Sequence, residues 1–163
     1  TKDFVLSTGV RTFEAAAFLK GKGADTVAVK RLFSNSIESN RKRSEIISGA
    51  HIYRGCAIAC TAPGTENARL LSAQAADELL EVSGVKASFV IFDSGNDSIS
   101  ISARSYGDMN VQIIMEYLGG GGHRTMAAAQ LGGVNMQEAK SKICEAIDAK
   151  YPRADGEEQD SIS

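Results

Sequence analysis

The chain has 163 residues, is 43% hydrophobic and carries a formal net charge of −2 at pH 7. This length allows one domain, or one small domain with part of another, and the composition supports a globular chain with a hydrophobic core. No apolar run reaches the roughly 18 residues that a membrane-spanning helix needs, and no signal-peptide pattern opens the sequence. The first residue is threonine, which indicates a piece of a longer protein.

The cysteines exclude a disulfide scaffold. Cys56, Cys60 and Cys144 are irregularly spaced, which indicates a reducing compartment, so we expect a cytoplasmic chain. Cys56 and Cys60 lie four residues apart on a predicted strand, about 13 Å from each other, which is too far to share a metal ion. We interpret both as structural residues.

Residues 1–49 are interpreted as two segments without a core of their own. Residues 1–33 begin as an extended piece, and Thr12 is the predicted N-cap of a helix that stops at Gly21–Gly23. Residues 34–49 are polar and predict a linker helix with Arg41-Lys42-Arg43 at its centre. A solvated helix face explains these cations better than a nucleic-acid patch, because no aromatic residues accompany them.

A second domain begins at Ala50. The pattern predicts a strand over 51–61, a helix over 67–83, an apolar strand over 85–92 and a hairpin to a strand over 98–104. In that last strand the apolar residues point to one face, while the serines and Arg104 point to the other. A helix capped by Asn135 follows later, and residues 152–163 form an acidic tail predicted to be disordered. Together these elements predict an α/β (α+β) fold with helices packed on a mixed β-sheet.

The stretch from Asn110 to Gln130 dominates the sequence. A short amphipathic helix ends at four consecutive glycines, Gly119 to Gly122, and His123 follows them. One glycine would suffice for a helix C-cap, so four indicate that something lies directly against the main chain. The N–H groups of Gly120 to Gly122 predict an anion-binding nest, held by a strand over 125–131. A flexible linker is the alternative, but two packed elements flank the run.

Arg104 and Ser105 end the preceding strand. A guanidinium can hold a phosphate in a bidentate fork, and the Ser105 hydroxyl would be a second donor. The alternative is a surface arginine paired with Asp93, Asp97 or Asp108. With the glycine loop some fifteen residues further on, we interpret the two segments as halves of one anion pocket.

The chain shows no recognisable catalytic motif. It has two histidines, His51 and His123, too few for the His/Asp cluster of a two-metal phosphoesterase. There is no Walker loop and no Ser-His-Asp or Cys-His spacing. His123 is a candidate general acid, but a binding role is preferred because no orienting partner is visible.

These motifs carry a resemblance to a known family. Ile101-Ser102-Ala103-Arg104-Ser105, Asn110-Val111-Gln112 and Gly119 to His123 with Ala127-Ala128 resemble the DHH-associated, substrate-binding domain of DHH-family phosphoesterases. Within that family the resemblance is to cyclic-di-AMP phosphodiesterases of the GdpP type. It implies the end of a DHH domain over 1–33, a linker helix over 34–49, the DHH-associated domain over 50–151 and a tail over 152–163.

The resemblance also implies a function. The parent enzyme would hydrolyse cyclic dinucleotides such as cyclic-di-AMP to linear pApA, with manganese held by an upstream DHH domain and no metal in this chain. This part alone would then be inactive, with no membrane contact of its own, in a parent that is membrane-anchored elsewhere. The implied binding residues are Arg104, Ser105, Gly119, Gly120, Gly121, Gly122, His123 and Thr125.

Partners and alternatives follow from the same resemblance. The expected partners are a cyclic dinucleotide or short oligonucleotide and the DHH catalytic domain, with a second copy of the chain as a further candidate. The alternative function is a nucleic-acid-binding module, as in RecJ-type exonucleases, oligoribonucleases or alanyl-tRNA synthetases. The scarcity of aromatic residues, 6% of the chain, argues against long single-strand binding by base stacking.

Overall fold

A computed structural model of the chain describes residues 9–34 and 36–152, and the chain divides into two compact units between Asn40 and Arg41. This division falls within α3 (Ile37–Ser48), where the sequence predicts a linker helix. The predicted extended piece at residues 1–8 and most of the predicted tail lie outside the described residues. No helix in the described part of the chain is long and apolar enough to cross a membrane.

The first unit contains α1 (Val10–Gly21) and α2 (Thr26–Arg31), and neither helix has a buried residue in the described structure. The prediction that Thr12 caps α1 is wrong. The carbonyl of Gly9 already accepts the N–H of Thr12 at 2.9 Å, so the helix begins at Val10. Large apolar side chains of this unit are exposed: Val10, Phe13, Phe18, Leu19, Val27, Val29, Leu32, Phe33 and Ile37.

The second unit is built on a mixed sheet, as predicted, and the sheet has six strands. In chain order its elements are β1 (His51–Tyr53), β2 (Cys56–Cys60), α4 (Ala68–Leu79), β3 (Ala87–Gly95), β4 (Ser98–Ser105), α5 (Val111–Tyr117), β5 (Gly121–His123), β6 (Met126–Gly132) and α6 (Met136–Lys150). The strand order is β1-β2-β3-β4-β6-β5. The pair β2–β3 is parallel, with α4 as its crossover, and the other pairs are antiparallel.

Alternation along the strands divides the core between the two faces of this sheet. One face packs against α5 and α6, with Phe89, Ile101 and Ile143 among its fully buried side chains. The other face carries the smaller cluster beneath α4, which includes Val90 and Leu79. The predicted alternation of β4 is confirmed, because Ile99, Ile101 and Ala103 all belong to the larger cluster.

Two element boundaries differ from the prediction. The segment predicted as one strand over 51–61 is a hairpin, because Arg54 and Gly55 have φ angles of 51° and 74° and reverse the chain. Such paired positive φ values are typical of tight hairpin turns. The α4 helix ends at Leu79, short of the predicted Ser83. The Asn135 cap of α6 is confirmed, with a reciprocal hydrogen bond between its backbone and Glu138.

A polar contact ties the first hairpin to the end of α6. Asp148 accepts hydrogen bonds from the Tyr53 hydroxyl and the Arg54 guanidinium, both at 2.6 Å. The hydrogen bond to the carboxylate, together with partial burial, raises the pKa of Tyr53 to about 12. The contact stabilises the neutral phenol of Tyr53. It also joins residues distant in sequence, because Tyr53 and Arg54 precede Asp148 by 95 and 94 positions.

This contact predicts a pH-dependent contribution to stability. The folded-state pKa of Tyr53 lies above the ordinary value of 10.0, so the stabilisation is complete below pH 10 and is lost as pH rises towards about 12. We expect Tyr53→Phe to lower the unfolding free energy by about 1 kcal/mol at pH 8, and by much less at pH 11.5. Urea denaturation of both proteins at the two pH values measures the difference.

Tyr106→Phe is the matched control, because Tyr106 is exposed and its hydroxyl has no hydrogen bond in the described part of the chain. An equal effect of Tyr53→Phe at both pH values would contradict this account.

Candidate functional site

The structure separates Arg104 and Ser105, which the sequence placed together. Consecutive strand residues point to opposite faces, so Arg104 lies on the α4 face and Ser105 on the face of α5 and α6. The Ser105 hydroxyl is buried and donates to the carbonyl of Met109 at 2.6 Å. The expectation that Ser105 is a second donor beside Arg104 is therefore corrected, because its proton is used inside the fold.

Strand register instead places Arg104 in one row with His123. Arg104 of β4 is directly opposite Met126 of β6, and Met126 is directly opposite His123 of β5. Directly opposite residues of antiparallel strands point to the same face. Two strand spacings of about 4.8 Å put the Cα atoms of Arg104 and His123 on the order of 10 Å apart. We call this row, with the open sheet surface around it, the Arg104–His123 row.

The surface around this row is open because α4 packs on β3 and β4, whereas on this face of the sheet the side chains of β6 and β5 are uncovered. Met126 is 53% exposed, and Ala128, Gln130 and His123 are exposed as well. Small side chains behind the row, Gly121 and Ala128, leave the main chain accessible. The result is an open sheet surface with the Arg104 guanidinium at one side and the His123 imidazole at the other.

Arg104 is paired with a residue that the sequence did not indicate. Its Nε donates to the Asp77 carboxylate of α4 at 2.9 Å, and its side chain is only 13% exposed, against 63% for Asp77. The predicted alternative was a pair with Asp93, Asp97 or Asp108. The missed signal was the β2–α4–β3 crossover, which places α4 on the face to which Arg104 points.

The glycine run is explained first by contact with β6. A Cβ at Gly120 would overlap the Ala128 carbonyl oxygen, and one at Gly122 would lie 2.5 Å from the Met126 carbonyl oxygen. Gly119 has a φ of 79° at the end of α5, and no atom would contact a Cβ at Gly121 within 4 Å. What lies against the main chain is thus a strand of the same chain.

The predicted nest of three N–H groups is wrong at its first member. The Gly120 N–H donates to the Met115 carbonyl at 2.8 Å and closes the end of α5. Gly121 and Gly122 belong to the edge strand β5. Their role in binding an anion stays a prediction.

The tip of the β5–β6 hairpin is held by neighbouring backbone. Arg124 donates from Nε and Nη2 to the Gly107 carbonyl at 3.1 and 2.9 Å. The carbonyl of Thr125 accepts the Ser105 N–H at 3.0 Å, and that of Arg124 accepts the Val111 N–H at 3.0 Å. Thr125 therefore lies at the hairpin tip, between the paired residues His123 and Met126, and its role in binding stays a prediction.

A cavity of about 260 Å³ lies elsewhere, at the carboxyl ends of β2 and β3. Its lining includes Thr61, Thr65 and Asp93, and none of the predicted binding residues. The Asp93 carboxylate disfavours a phosphate there. We therefore assign the candidate site to the Arg104–His123 row.

Within residues 9–34 and 36–152, no group of three or more His, Cys, Asp or Glu side chains could hold a metal ion. The described residues therefore do not fit a manganese centre.

The cysteines have structural surroundings. Cys56 is buried beside Met109, and burial raises its pKa to about 12, while burial also raises the pKa of Cys60 and of Cys144. Raised values keep the thiols protonated at neutral pH, which disfavours metal ligation and nucleophilic chemistry.

Comparison with known proteins gives the family and the fold. The model of the DHHA1 domain matches residues 57–150. The chain is 51% identical over 148 residues to the cyclic-di-AMP phosphodiesterase GdpP of Geobacillus thermodenitrificans, covering 90% of this chain and 22% of that protein. It is 47% identical over 152 residues to the cyclic-di-AMP phosphodiesterase PdeA of Listeria monocytogenes, covering 93% of this chain and 23% of that protein. The chain thus spans less than a quarter of these curated relatives.

Solved structures agree on the fold. An exopolyphosphatase-related protein from Bacteroides fragilis superimposes with a TM-score of 0.74 at 20% identity, over 90% of this chain and 45% of that one. The pGpG-specific phosphodiesterase PggH from Vibrio cholerae gives a TM-score of 0.53 at 16% identity, over 88% of this chain and 53% of that one. At these identities the similarity concerns the fold alone.

The glycine contacts predict a sharp difference between neighbouring substitutions. Gly120→Ala and Gly122→Ala place a methyl group against the β6 backbone, so each should lower the unfolding free energy by about 2 kcal/mol or more. Gly121→Ala is the matched control, because its Cβ meets open space, and it should change stability by less than about 0.5 kcal/mol. Urea midpoints of the three variants measure this. Equal destabilisation at all three positions would show that β5 does not lie against β6 in this way.

Proposed function

Because the chain belongs to the DHHA1 domain family, we propose that it is the substrate-binding part of a DHH-family phosphodiesterase that hydrolyses cyclic dinucleotides such as cyclic-di-AMP to linear pApA. The observation that carries the proposal is the Arg104–Met126–His123 register across β4, β6 and β5. The names of the relatives from Geobacillus and Listeria supply the substrate class.

In this proposal the Arg104–His123 row binds one nucleotide of the substrate. The Arg104 guanidinium holds a phosphate oxygen through charge-assisted hydrogen bonds, which are roughly twice as strong as neutral ones. The exposed thioether of Met126 lies between the two polar side chains and offers an apolar surface for a base. The imidazole of His123 then contacts the phosphate or the base from the other side.

His123 acts in binding rather than in proton transfer. A general acid is usually oriented by a second hydrogen bond, and no side-chain hydrogen bond to His123 is present in the part of the chain that the structure describes. Its exposure also suits contact with a ligand. Gly121 and Gly122 remain candidate backbone donors to the ligand, because β5 lies at the edge of the sheet and has a partner strand on one side only.

The chemical step belongs to the catalytic part of the DHH domain, which would lie upstream of this chain. That domain would bind manganese and supply the metal-activated water, while this chain fixes the position of the substrate. On this proposal the chain alone binds dinucleotide and does not hydrolyse it. A domain that only positions the substrate can still speed the reaction, because correct orientation of the reacting groups lowers the activation barrier of many reactions by several kcal/mol.

We assign residues 1–33, within the first unit, to the end of the DHH domain, and we expect the exposed helices of this unit to pack against the rest of that domain. The helices of the first unit bury none of their residues, and Val10, Leu32 and Ile37 are 74%, 81% and 89% exposed. Apolar side chains at this density need a cover. Pairing with a second copy of the chain stays a prediction of the family resemblance.

We expect Arg104→Ala and His123→Ala each to weaken binding of cyclic-di-AMP by about tenfold, because each removes one polar contact to the nucleotide. The melting temperature should stay within about 2 °C in His123→Ala, because His123 is exposed. It should fall by a few degrees in Arg104→Ala, because that side chain is only 13% exposed, but the variant should still unfold in one cooperative transition. Calorimetric titration of the full chain and thermal unfolding measure the two effects.

Two matched controls separate the site from general charge. His51→Ala removes the other histidine, which is exposed on β1 at the opposite edge of the sheet, and Arg69→Ala removes an exposed arginine of α4. Neither should change binding. Tighter binding of a short oligonucleotide, with a steep loss of affinity at high salt, would favour the nucleic-acid module and overturn the dinucleotide proposal.

A further inference from the structure

The Arg104 guanidinium is fixed from two directions. Its Nε donates to the Asp77 carboxylate at 2.9 Å, and its Nη1 donates to the carbonyl of Ala103 at 3.0 Å. Of the five N–H donors of a guanidinium, roughly three remain for a ligand. The pair with Asp77 therefore sets which edge of the guanidinium is available.

The part of α4 that carries Asp77 is itself anchored. The buried Ser88 hydroxyl donates to the carbonyl of Ala76 at 2.6 Å, and Ser88 is the register partner of Arg104 on β3. On the next residue of the helix, Glu78 pairs with Arg43 of α3 at 2.6 Å. Asp77 thus lies between Ala76 and Glu78, both of which are held by neighbouring elements. The Asp77 carboxylate is therefore kept in place beside Arg104.

We propose that Asp77 is a positioning and specificity-determining residue for the Arg104–His123 row: it orients the Arg104 guanidinium and offsets its charge, so that a terminal phosphate dianion loses most of the advantage over a phosphodiester monoanion that a lone arginine would give it. The inference rests on the proposed function. Asp77 acts through Arg104 and does not need to touch the ligand.

The charge argument follows from Coulomb's law. An unpaired arginine attracts a dianion about twice as strongly as a monoanion at the same distance. A carboxylate beside the arginine repels the dianion about twice as strongly as the monoanion, so the pair removes most of this advantage. A cyclic dinucleotide carries phosphodiesters alone, whereas a linear product such as pApA also carries a terminal phosphate. The Asp77–Arg104 pair would therefore lower the affinity for the product relative to the substrate.

Three substitutions separate orientation from charge. Asp77→Asn keeps an oxygen acceptor for Arg104 but removes the charge, so pApA should gain about fivefold in affinity relative to cyclic-di-AMP. Asp77→Ala removes both, so cyclic-di-AMP should bind about tenfold more weakly, while pApA should keep its fivefold gain relative to cyclic-di-AMP. Asp77→Glu keeps the carboxylate and should restore the wild-type preference. Titration calorimetry of the full chain measures the two dissociation constants of each variant.

A spectroscopic readout tests orientation without any dinucleotide. The Nε–H resonance of Arg104, identified by its loss in Arg104→Lys, should be protected from solvent exchange in the wild type and in Asp77→Asn, and unprotected in Asp77→Ala. Glu81→Gln is the matched control, because Glu81 is an exposed acid at the same end of α4 and has no ion pair in the described part of the chain. It should change neither the resonance nor the preference.

The outcomes distinguish this inference from the proposed function. A ratio of pApA to cyclic-di-AMP affinity that stays within twofold in Asp77→Asn overturns the specificity role, and wild-type binding by Asp77→Ala overturns the positioning role. If the wild type binds neither dinucleotide, the proposed function fails. The inference is then decided by the Arg104 resonance and by the affinity ratio of methyl phosphate to dimethyl phosphate, which should rise in Asp77→Asn and whose constancy would overturn it.

Discussion

The contact between the main chains of β5 and β6 is the constraint on which the candidate site depends. Gly120 and Gly122 lie so close to β6 that no side chain fits at either position. This contact fixes the register of β5, and the register in turn places His123 opposite Met126. A one-residue slip would turn His123 to the other face of the sheet, away from Arg104. Gly120 and Gly122 therefore determine where the His123 side chain lies.

The alternation of side chains along β4 is a second constraint on the candidate site. The residues that face α5 and α6 form the main core. On the opposite face, α4 covers β3 and β4 but does not cover β6 and β5. Arg104 lies at this boundary, mostly packed but beside an open surface. Such a position keeps the side chain in one conformation, so less entropy is lost when a ligand binds.

Much of this arrangement was predictable from the sequence. The helix before the glycines, the strand after them and the alternation of β4 follow from the spacing of apolar residues. The fold class followed from the same pattern. These features are local, because each depends on residues within one or two elements.

The remainder depends on contacts between residues distant in sequence. The Arg104–Asp77 pair spans 27 positions, and Asp77 looks like any acid on a solvated helix. The glycine run predicted a close neighbour correctly, but composition gave no means of telling a strand from a ligand. The Ser105 expectation failed because adjacency in sequence was taken for adjacency in space, whereas a strand sends neighbouring side chains to opposite faces.

The composition of β5 also has a consequence for the dynamics of the sheet. Glycine loses more conformational freedom on folding than any other residue, and an edge strand has a partner on one side only. Local opening should therefore require the least free energy at β5, and its amide protons should exchange before those of β3 or β4. A molecule that binds to closed β5 and not to open β5 would slow this exchange in proportion to its occupancy. The short glycine strand would then act as a built-in reporter of binding, which hydrogen exchange could follow without a label.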